Sequence, residues 1–122
     1  MSEMILVVDD NEDTLKIIKK ILATESYQVK TAADGQEALK RLKEDDSPAL
    51  VLLDIMMPKV NGFEVCRTIR SNPRFNHIPI LILSATIDSA ARQQASALGA
   101  NDYLLKPIVP SDILRKVKDH LL

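Results

Sequence analysis

Three short runs of branched apolar residues recur along the chain, and each ends on polar residues. Met4-Ile5-Leu6-Val7-Val8 ends on Asp9 and Asp10, Ala49-Leu50-Val51-Leu52-Leu53 on Asp54, and Ile78-Pro79-Ile80-Leu81-Ile82-Leu83 on Ser84. Runs of this length are too brief for a membrane span and read as strands buried on both faces. Two further strands are more mixed. Tyr27 to Ala33 alternates apolar with polar positions, and Asn101-Asp102-Tyr103-Leu104-Leu105 is short and less apolar, ending on Lys106-Pro107. Between the strands the apolar period changes from two to near 3.6. Leu15, Ile18, Ile21 and Leu22 predict a helix from Glu12 to about Thr24, capped by Asp10 or Asn11, with Asp13 in its positive first turn. Ala38, Leu39 and Leu42 predict a second from Gly35 to about Asp45, stopped by Ser47-Pro48. Phe63, Cys66 and Ile69 predict a third from Gly62 to Ser71, ended by Asn72-Pro73. The fourth, Asp88 to Leu98, is alanine-rich (Ala90, Ala91, Ala95, Ala97) and closed by Gly99. Ile113, Leu114, Val117 and Leu121 mark the last, Ser111 to Leu122.

Strict alternation of strand and helix predicts an α/β fold: a doubly wound five-stranded parallel sheet with helices on both faces, a flavodoxin-like (βα)5 three-layer sandwich. The apolar first, third and fourth strands belong in the middle and the mixed second and fifth at the edges. A short crossover keeps the second strand beside the first, so the expected order is 2-1-3-4-5, with the switch point between strands one and three. At 122 residues, with 46% hydrophobic and 27% charged residues, one domain over residues 1–122 is expected. Sixteen basic against 17 acidic residues, net charge -1, give no electrostatic footprint for nucleic acid or a membrane surface. The single cysteine, Cys66, excludes an internal disulfide and a cysteine metal cluster. With no long apolar segment and no leader pattern, the expected location is the cytoplasm.

A parallel sheet brings its strand exits to one edge, so Asp9, Asp10, Asp54, Ser84 and Lys106 should converge. Like charges about 4 Å apart repel by roughly 4 kcal/mol per pair at an effective dielectric near 20, so three carboxylates there call for a cation. A hard divalent ion with oxygen ligands, Mg²⁺ with Mn²⁺ as the alternative, is the economical choice. Lys106 and Ser84 would add a positive charge and a hydroxyl for a phosphoryl group, and Asp54 would be a nucleophile giving an acyl phosphate. Each residue has a plainer use: Asp9, Asp10 and Asn11 as helix caps, Asp54 as a turn former, Ser84 as a cap, Lys106 as a surface lysine. Four of five strands ending in the residues that one metal-assisted phosphoryl transfer needs is poorly explained by capping alone. Cys66 is expected in the core, and His77 and His120 on the surface.

Val8-Asp9-Asp10-Asn11, Leu53-Asp54-Ile55-Met56-Met57-Pro58 with Asn61-Gly62, Leu83-Ser84-Ala85 and Tyr103-Leu104-Leu105-Lys106-Pro107 together resemble the signature of the receiver domain of two-component response regulators, including the single-domain chemotaxis type. The resemblance covers essentially the whole chain. It implies that Asp54 accepts the phosphoryl group. Asp10, Asp54 and the carbonyl of Met56 would ligate Mg²⁺, with Asp9 holding it through water. Lys106 would pair with the phosphoryl group, Ser84 and Tyr103 would form a switch pair, Pro58, Gly62 and Pro107 would shape the loops, and Lys106-Pro107 would be cis. The implied donor is a sensor histidine kinase or phosphotransfer protein. The implied reader is a downstream protein or an output domain following Leu122, through the face made by the fourth helix, fifth strand and fifth helix, in a monomer or a phosphorylation-dependent dimer. Met56 and Thr86 would set how long the phosphoryl group survives, a bulky Met56 hindering water.

Two other classes compete. An aspartate-nucleophile phosphatase would place Asp-x-Asp after the first strand, and Asp9-Asp10-Asn11 lacks that spacing. A flavin-binding module would need a glycine- or hydroxyl-rich phosphate loop there, and Asp9 to Asp13 is too acidic. Three glycines in the chain carry no dinucleotide fingerprint.

Overall fold

The structure is a computed structural model that describes residues 3–44, 48–55, 62–85 and 89–121. Met56, Pro58, Asn61, Thr86 and Asp88 lie outside the described residues. The chain alternates β1 (Met4–Val8), α1 (Glu12–Ala23), β2 (Gln28–Ala32), α2 (Gly35–Lys43), β3 (Leu50–Asp54), α3 (Gly62–Ser71), β4 (Ile80–Ser84), α4 (Ser89–Ala97), β5 (Asp102–Leu105) and α5 (Pro110–Leu121). The strands form one parallel sheet in the order β2-β1-β3-β4-β5. β3 and β4 are buried along their whole length, whereas β2 and β5 are only partly covered, as befits edges.

Successive strand side chains point to opposite faces, so each apolar run feeds two cores. Ile5, Val7, Leu50, Leu52, Leu81 and Leu83 pack with Leu15, Ile18 and Leu22 of α1 and Ile113 and Val117 of α5. Leu6, Val8, Val51, Leu53, Ile80 and Ile82 pack with α2, α3 and Ala95 of α4. A fully buried Leu or Ile contributes about 1.5–3 kcal/mol, so the central strands are the rigid part of the molecule. Cys66 is one of these core residues: its thiol donates to the Leu98 carbonyl at 3.3 Å, and burial pushes its pKa up against the lowering charge of Arg70. α4 is held differently. Ala95 is its one buried residue among those described.

Element ends follow local chemistry. Asn11 caps α1, its side chain accepting from the Thr14 N–H at 3.1 Å. Asp34 caps α2 in the same way, and Glu37 reaches back past the cap to accept from the Ala33 N–H. β4 starts at Ile80 rather than Ile78, because Pro79 has no N–H to give a ladder and offers only its carbonyl, to the Val51 N–H. β5 starts after Asn101, which pairs across to Ile80 with its backbone N–H and, in the other direction, through its side-chain oxygen. α5 begins one residue early, on Pro110, whose missing N–H costs nothing in a first turn. Gly99 ends α4 at φ 97, with Ala100 N–H returning to the Ala95 carbonyl. The Arg70 guanidinium spans this corner, donating to Gly99 O at 2.9 Å, Asn76 O at 3.0 Å and the Asn101 side chain at 2.9 Å.

His77 is exposed as expected, but His120 is not a free surface residue. It sits half-buried on α5 with Nε2 3.1 Å from Asp102 Oδ2, and Lys116, one helical turn earlier, places Nζ 3.1 Å from Asp102 Oδ1 and 2.6 Å from the Tyr103 carbonyl. The i, i+4 spacing puts both side chains on the α5 stripe that faces β5.

Two outcomes follow from these contacts. A Cβ on Gly62 would stand 2.4 Å from the Asp54 carbonyl oxygen and 2.5 Å from Ile55 Cα. Gly62→Ala should therefore destabilise by about 1–3 kcal/mol, seen as a lower urea midpoint at unchanged m-value; an unaltered midpoint would mean that the backbone at 54–55 yields freely. Partial burial opposes ionisation of Asp102, but hydrogen bonds from His120, the Tyr103 N–H and Lys116, with the Lys116 charge, outweigh it and hold the carboxyl below its usual pKa. A depressed acid contributes stability above its unfolded value and loses it as pH falls through the folded one. The stability gap between the protein and Asp102→Asn should thus be fully open at about pH 5 and close progressively below about pH 4, measured by urea unfolding across that range.

Candidate functional site

The C-terminal ends of β1, β3 and β5 meet at one edge of the sheet. Asp9, immediately after β1, is completely buried, and one of its oxygens accepts from the Asn11 N–H at 2.9 Å. Asp10, the next residue, is exposed. Asp54 closes β3 at 4% exposure, delivered by four apolar residues that leave the strand no freedom to slip register without exposing its core. The three carboxylates each offer an oxygen within 4.8 Å of the others. From the other side comes Lys106, directly after β5, with Nζ 2.7 Å from Asp9 Oδ2 and 3.2 Å from Asp54 Oδ2. Burial opposes its charge, but the hydrogen bond and charge of Asp9 and the charge of Asp54 prevail and raise the lysine pKa above its ordinary value.

Ser84, buried at the end of β4, adjoins this group: the Lys106 N–H donates to its carbonyl at 2.8 Å. The Lys106–Pro107 bond is cis. Gly62, at the start of α3, packs on the Asp54 carbonyl so closely that a side chain would collide. Met56 and Pro58 lie outside the described residues. Tyr103 is not part of the cluster. It lies two residues before Leu105 on β5, paired with Ile82, and its ring packs on the core shared by α2, α3 and α4. Its hydroxyl is buried with no hydrogen-bond partner among the described residues, a position that costs about 1–3 kcal/mol. Arg92 of α4 covers the ring, its guanidinium carbon 4.6 Å from the ring centroid.

Three carboxylates against one ammonium leave two formal negative charges at this edge. Asp9 Oδ2 is a buried oxygen met, among the described residues, only by Lys106 Nζ at 2.7 Å, which leaves it lone-pair capacity to spare. An all-oxygen cluster with a two-charge deficit and an under-used buried oxygen fits a hard divalent cation such as Mg²⁺. A cleft of about 460 Å³ lined by Asp10, Lys16, Thr31 and Glu37, among others, touches the cluster only at Asp10.

The sequence places Asp9, Asp10, Asp54, Ser84 and Lys106 at one edge, and there the structure brings them. What strand exits do not reveal is Arg92 over Tyr103: an arginine on an alanine-rich helix carries no periodic signal that names its partner. The i, i+4 spacing of Lys116 and His120 puts them on one stripe of α5 but does not name Asp102 as their partner, which only the placement of β5 supplies.

The sequence pattern of the response regulator receiver domain matches residues 5–118. The response regulator PleD of Caulobacter vibrioides is 43% identical over 108 residues, covering 88% of this chain and 24% of PleD. The chain spans about a quarter to a half of the length of curated relatives such as this one. Among solved structures, chemotaxis protein CheY4 of Vibrio cholerae superposes with TM-score 0.92 at 29% identity, over 98% of each chain. The receiver domain of the Pseudomonas aeruginosa sensor histidine kinase PA1611, with a magnesium ion coordinated in its active-site cleft, superposes with TM-score 0.90 at 27% identity, over 99% of this chain and 98% of the other.

The charge deficit predicts opposite responses to one substitution. Without divalent ions, Asp10→Asn removes one of three crowded charges and should raise Tm by about 3–6 °C, near 1 kcal/mol. Mg²⁺ at a hundredfold excess over its Kd should stabilise the unsubstituted protein by about 2.7 kcal/mol and the variant far less. Equal Mg²⁺ responses in thermal melts would remove Asp10 from the site.

Proposed function

This chain belongs to the response regulator receiver domain family, and from that premise we propose that its own switch is phosphorylation of Asp54, drawn from a phosphohistidine with Mg²⁺ bound by Asp9, Asp10 and Asp54. Receiver domains are signalling switches of two-component systems that receive phosphoryl groups from histidine kinases. The observation that carries the assignment of residues is the 3.2 Å approach of Lys106 Nζ to Asp54 Oδ2 within an acidic cluster at the sheet edge.

Asp54 supplies the nucleophilic oxygen. As its P–O bond forms, the P–N bond of the donor breaks and the electron pair leaves on the imidazole nitrogen. Asp9 and Asp10, with Asp54 and the carbonyl of Met56, would hold the metal, which neutralises charge on the phosphoryl oxygens. Lys106, already drawn to Asp54 Oδ2, transfers its ion pair to a phosphoryl oxygen, and Ser84 offers a hydroxyl from the adjoining strand end. The rigid β3 keeps the nucleophile in line with the incoming group. Beside the edge, Ile17, 53% exposed, borders a small cleft with Lys106, Pro107 and Ile108, an apolar spot that a donor helix can cover while its histidine reaches Asp54.

A phosphoryl group adds about -1.5 to -2 charge next to Ser84 and Lys106. Ser84 moves toward it, and Tyr103 with α4 adjusts, altering the face of α4, β5 and α5 that a protein target or an output domain would read. α4, whose one buried residue among those described is Ala95, is a helix whose packing offers this little resistance.

An Mg²⁺-dependent aspartate-nucleophile phosphatase would also use these carboxylates, but it would turn over phosphate esters where the switch accumulates an adduct. Incubation with a small phosphodonor and Mg²⁺ should add one base-labile phosphoryl group, detected by intact-mass spectrometry, and Asp54→Asn should take up none. Modification that survives Asp54→Asn, or steady hydrolysis of a generic phosphate ester, would overturn the assignment.

A further inference from the structure

Tyr103 stands between two environments. On one side its ring packs against the core shared with α2, α3 and α4. On the other it borders a surface cleft of about 170 Å³, lined also by Arg92, Ala100, Asn101 and Asp102. The hydroxyl is the anomaly. It is buried without a hydrogen-bond partner among the described residues, so the inward position gives up a hydrogen bond that water in the cleft would restore. Something must favour the inward ring over that gain.

Arg92 is the group positioned to do so. It is exposed on α4, and its guanidinium carbon lies 4.6 Å from the Tyr103 ring centroid, within cation–π range. Arg92 makes no described ion pair with a carboxylate, so the ring face is its one described partner. The backbone on either side of the ring is fixed. Lys116 holds the Tyr103 carbonyl at 2.6 Å, and the Asp102 carboxylate accepts from the Tyr103 N–H at 2.8 Å. With the strand pinned, what remains free is the side-chain torsion, and Arg92 caps the ring on its outward path.

We propose that Arg92 is a positioning residue for Tyr103: its guanidinium over the ring retains the inward position and sets how readily the α4–β5 face changes state. A cation–π contact at a solvent-exposed site shifts such a two-position balance roughly two- to fivefold. The helix that carries the cation has a single buried residue, Ala95, among those described. A displacement of α4 therefore uncovers the ring, and a turn of the ring releases α4. The signalling meaning rests on Tyr103 belonging to the Asp54 switch; the contact itself does not.

The composition provides a clean readout. The chain has two tyrosines and no tryptophan, so Tyr27→Phe leaves Tyr103 as the sole tyrosine emitter. In that background, acrylamide quenching of tyrosine fluorescence measures how far Tyr103 is turned out. Arg92→Met keeps the length and loses the charge; it should raise the quenched fraction about two- to fivefold in the unphosphorylated protein, with Arg92→Lys lying nearer to arginine. Equal quenching in the arginine and methionine proteins overturns the proposal, as does a lysine variant indistinguishable from methionine, since the effect would then not be one of charge over the ring. Circular dichroism melts confirm that each variant is folded before quenching is compared. Intact-mass analysis after treatment with the small phosphodonor separates the two claims. Altered quenching in a protein that never gains a phosphoryl group on Asp54 would refute the proposed function and leave the Arg92–Tyr103 contact standing.

Discussion

One ammonium shared by two buried carboxylates governs this molecule. Lys106 meets Asp9 at 2.7 Å and Asp54 at 3.2 Å, offsetting much of the cost of holding two acids at covered strand ends. Removing one partner of a buried pair typically costs 3–5 kcal/mol, because the charge left behind has no water to turn to. The arrangement demands a parallel sheet, since only then do β1, β3 and β5 finish at the same edge, and it demands central strands apolar on both faces, since a strand that slipped would carry its acid away. The residual charge of two at the same edge is the chemical opportunity. A site that is already balanced has no use for a divalent cation, and a site with no cation of its own would be too costly to fold.

Much of this is legible in the sequence because it is written in strand exits. Continuous apolar runs identify β1, β3 and β4, mixed ones identify β2 and β5, and the residue after each run is the residue at the edge. Strand exits alone put Asp9, Asp10, Asp54, Ser84 and Lys106 at one edge, and that is where they lie. Helix bounds deviate by a residue or two, for local reasons such as the Pro110 start of α5. Harder to read are contacts between elements distant in sequence and without periodicity. His120 looks like a surface residue until β5 brings Asp102 beside it. Arg92 has no sequence signal at all, because its partner is chosen by how α4 lies on β5. The strand starts at Ile80 and Asp102 likewise depend on Asn101 acting as a side-chain rung, which no propensity encodes.

The two faces of the sheet differ in mechanical character. α1 and α5 cover one face with Leu15, Ile18, Leu22, Ile113 and Val117, a continuous set of large side chains at native packing density. On the other face α2 and α3 supply comparable anchors, but α4 offers Ala95 and depends on contacts at its ends and on Arg92. The chain thus holds its chemistry on the stiff strands and leaves its adjustable surface to the helix that can shift with little loss of burial.

The Arg70 fork gives that helix a definite mode of movement. Two of its three hydrogen bonds tie α3 to Gly99 and Asn101 and the third holds the Asn76 carbonyl, so the C-terminal end of α4 is tied to the body of the protein. The N-terminal end follows β4 and the buried Ser84. In the proposed switch, a rod fixed at one end and pushed at the other would act as a lever with a built-in pivot: small displacements beside the carboxylates would become angular ones, largest where they begin and vanishing at the clamp. The surface they reshape is therefore bounded, and the far corner of the sheet stays in place as a fixed reference for whatever reads the change.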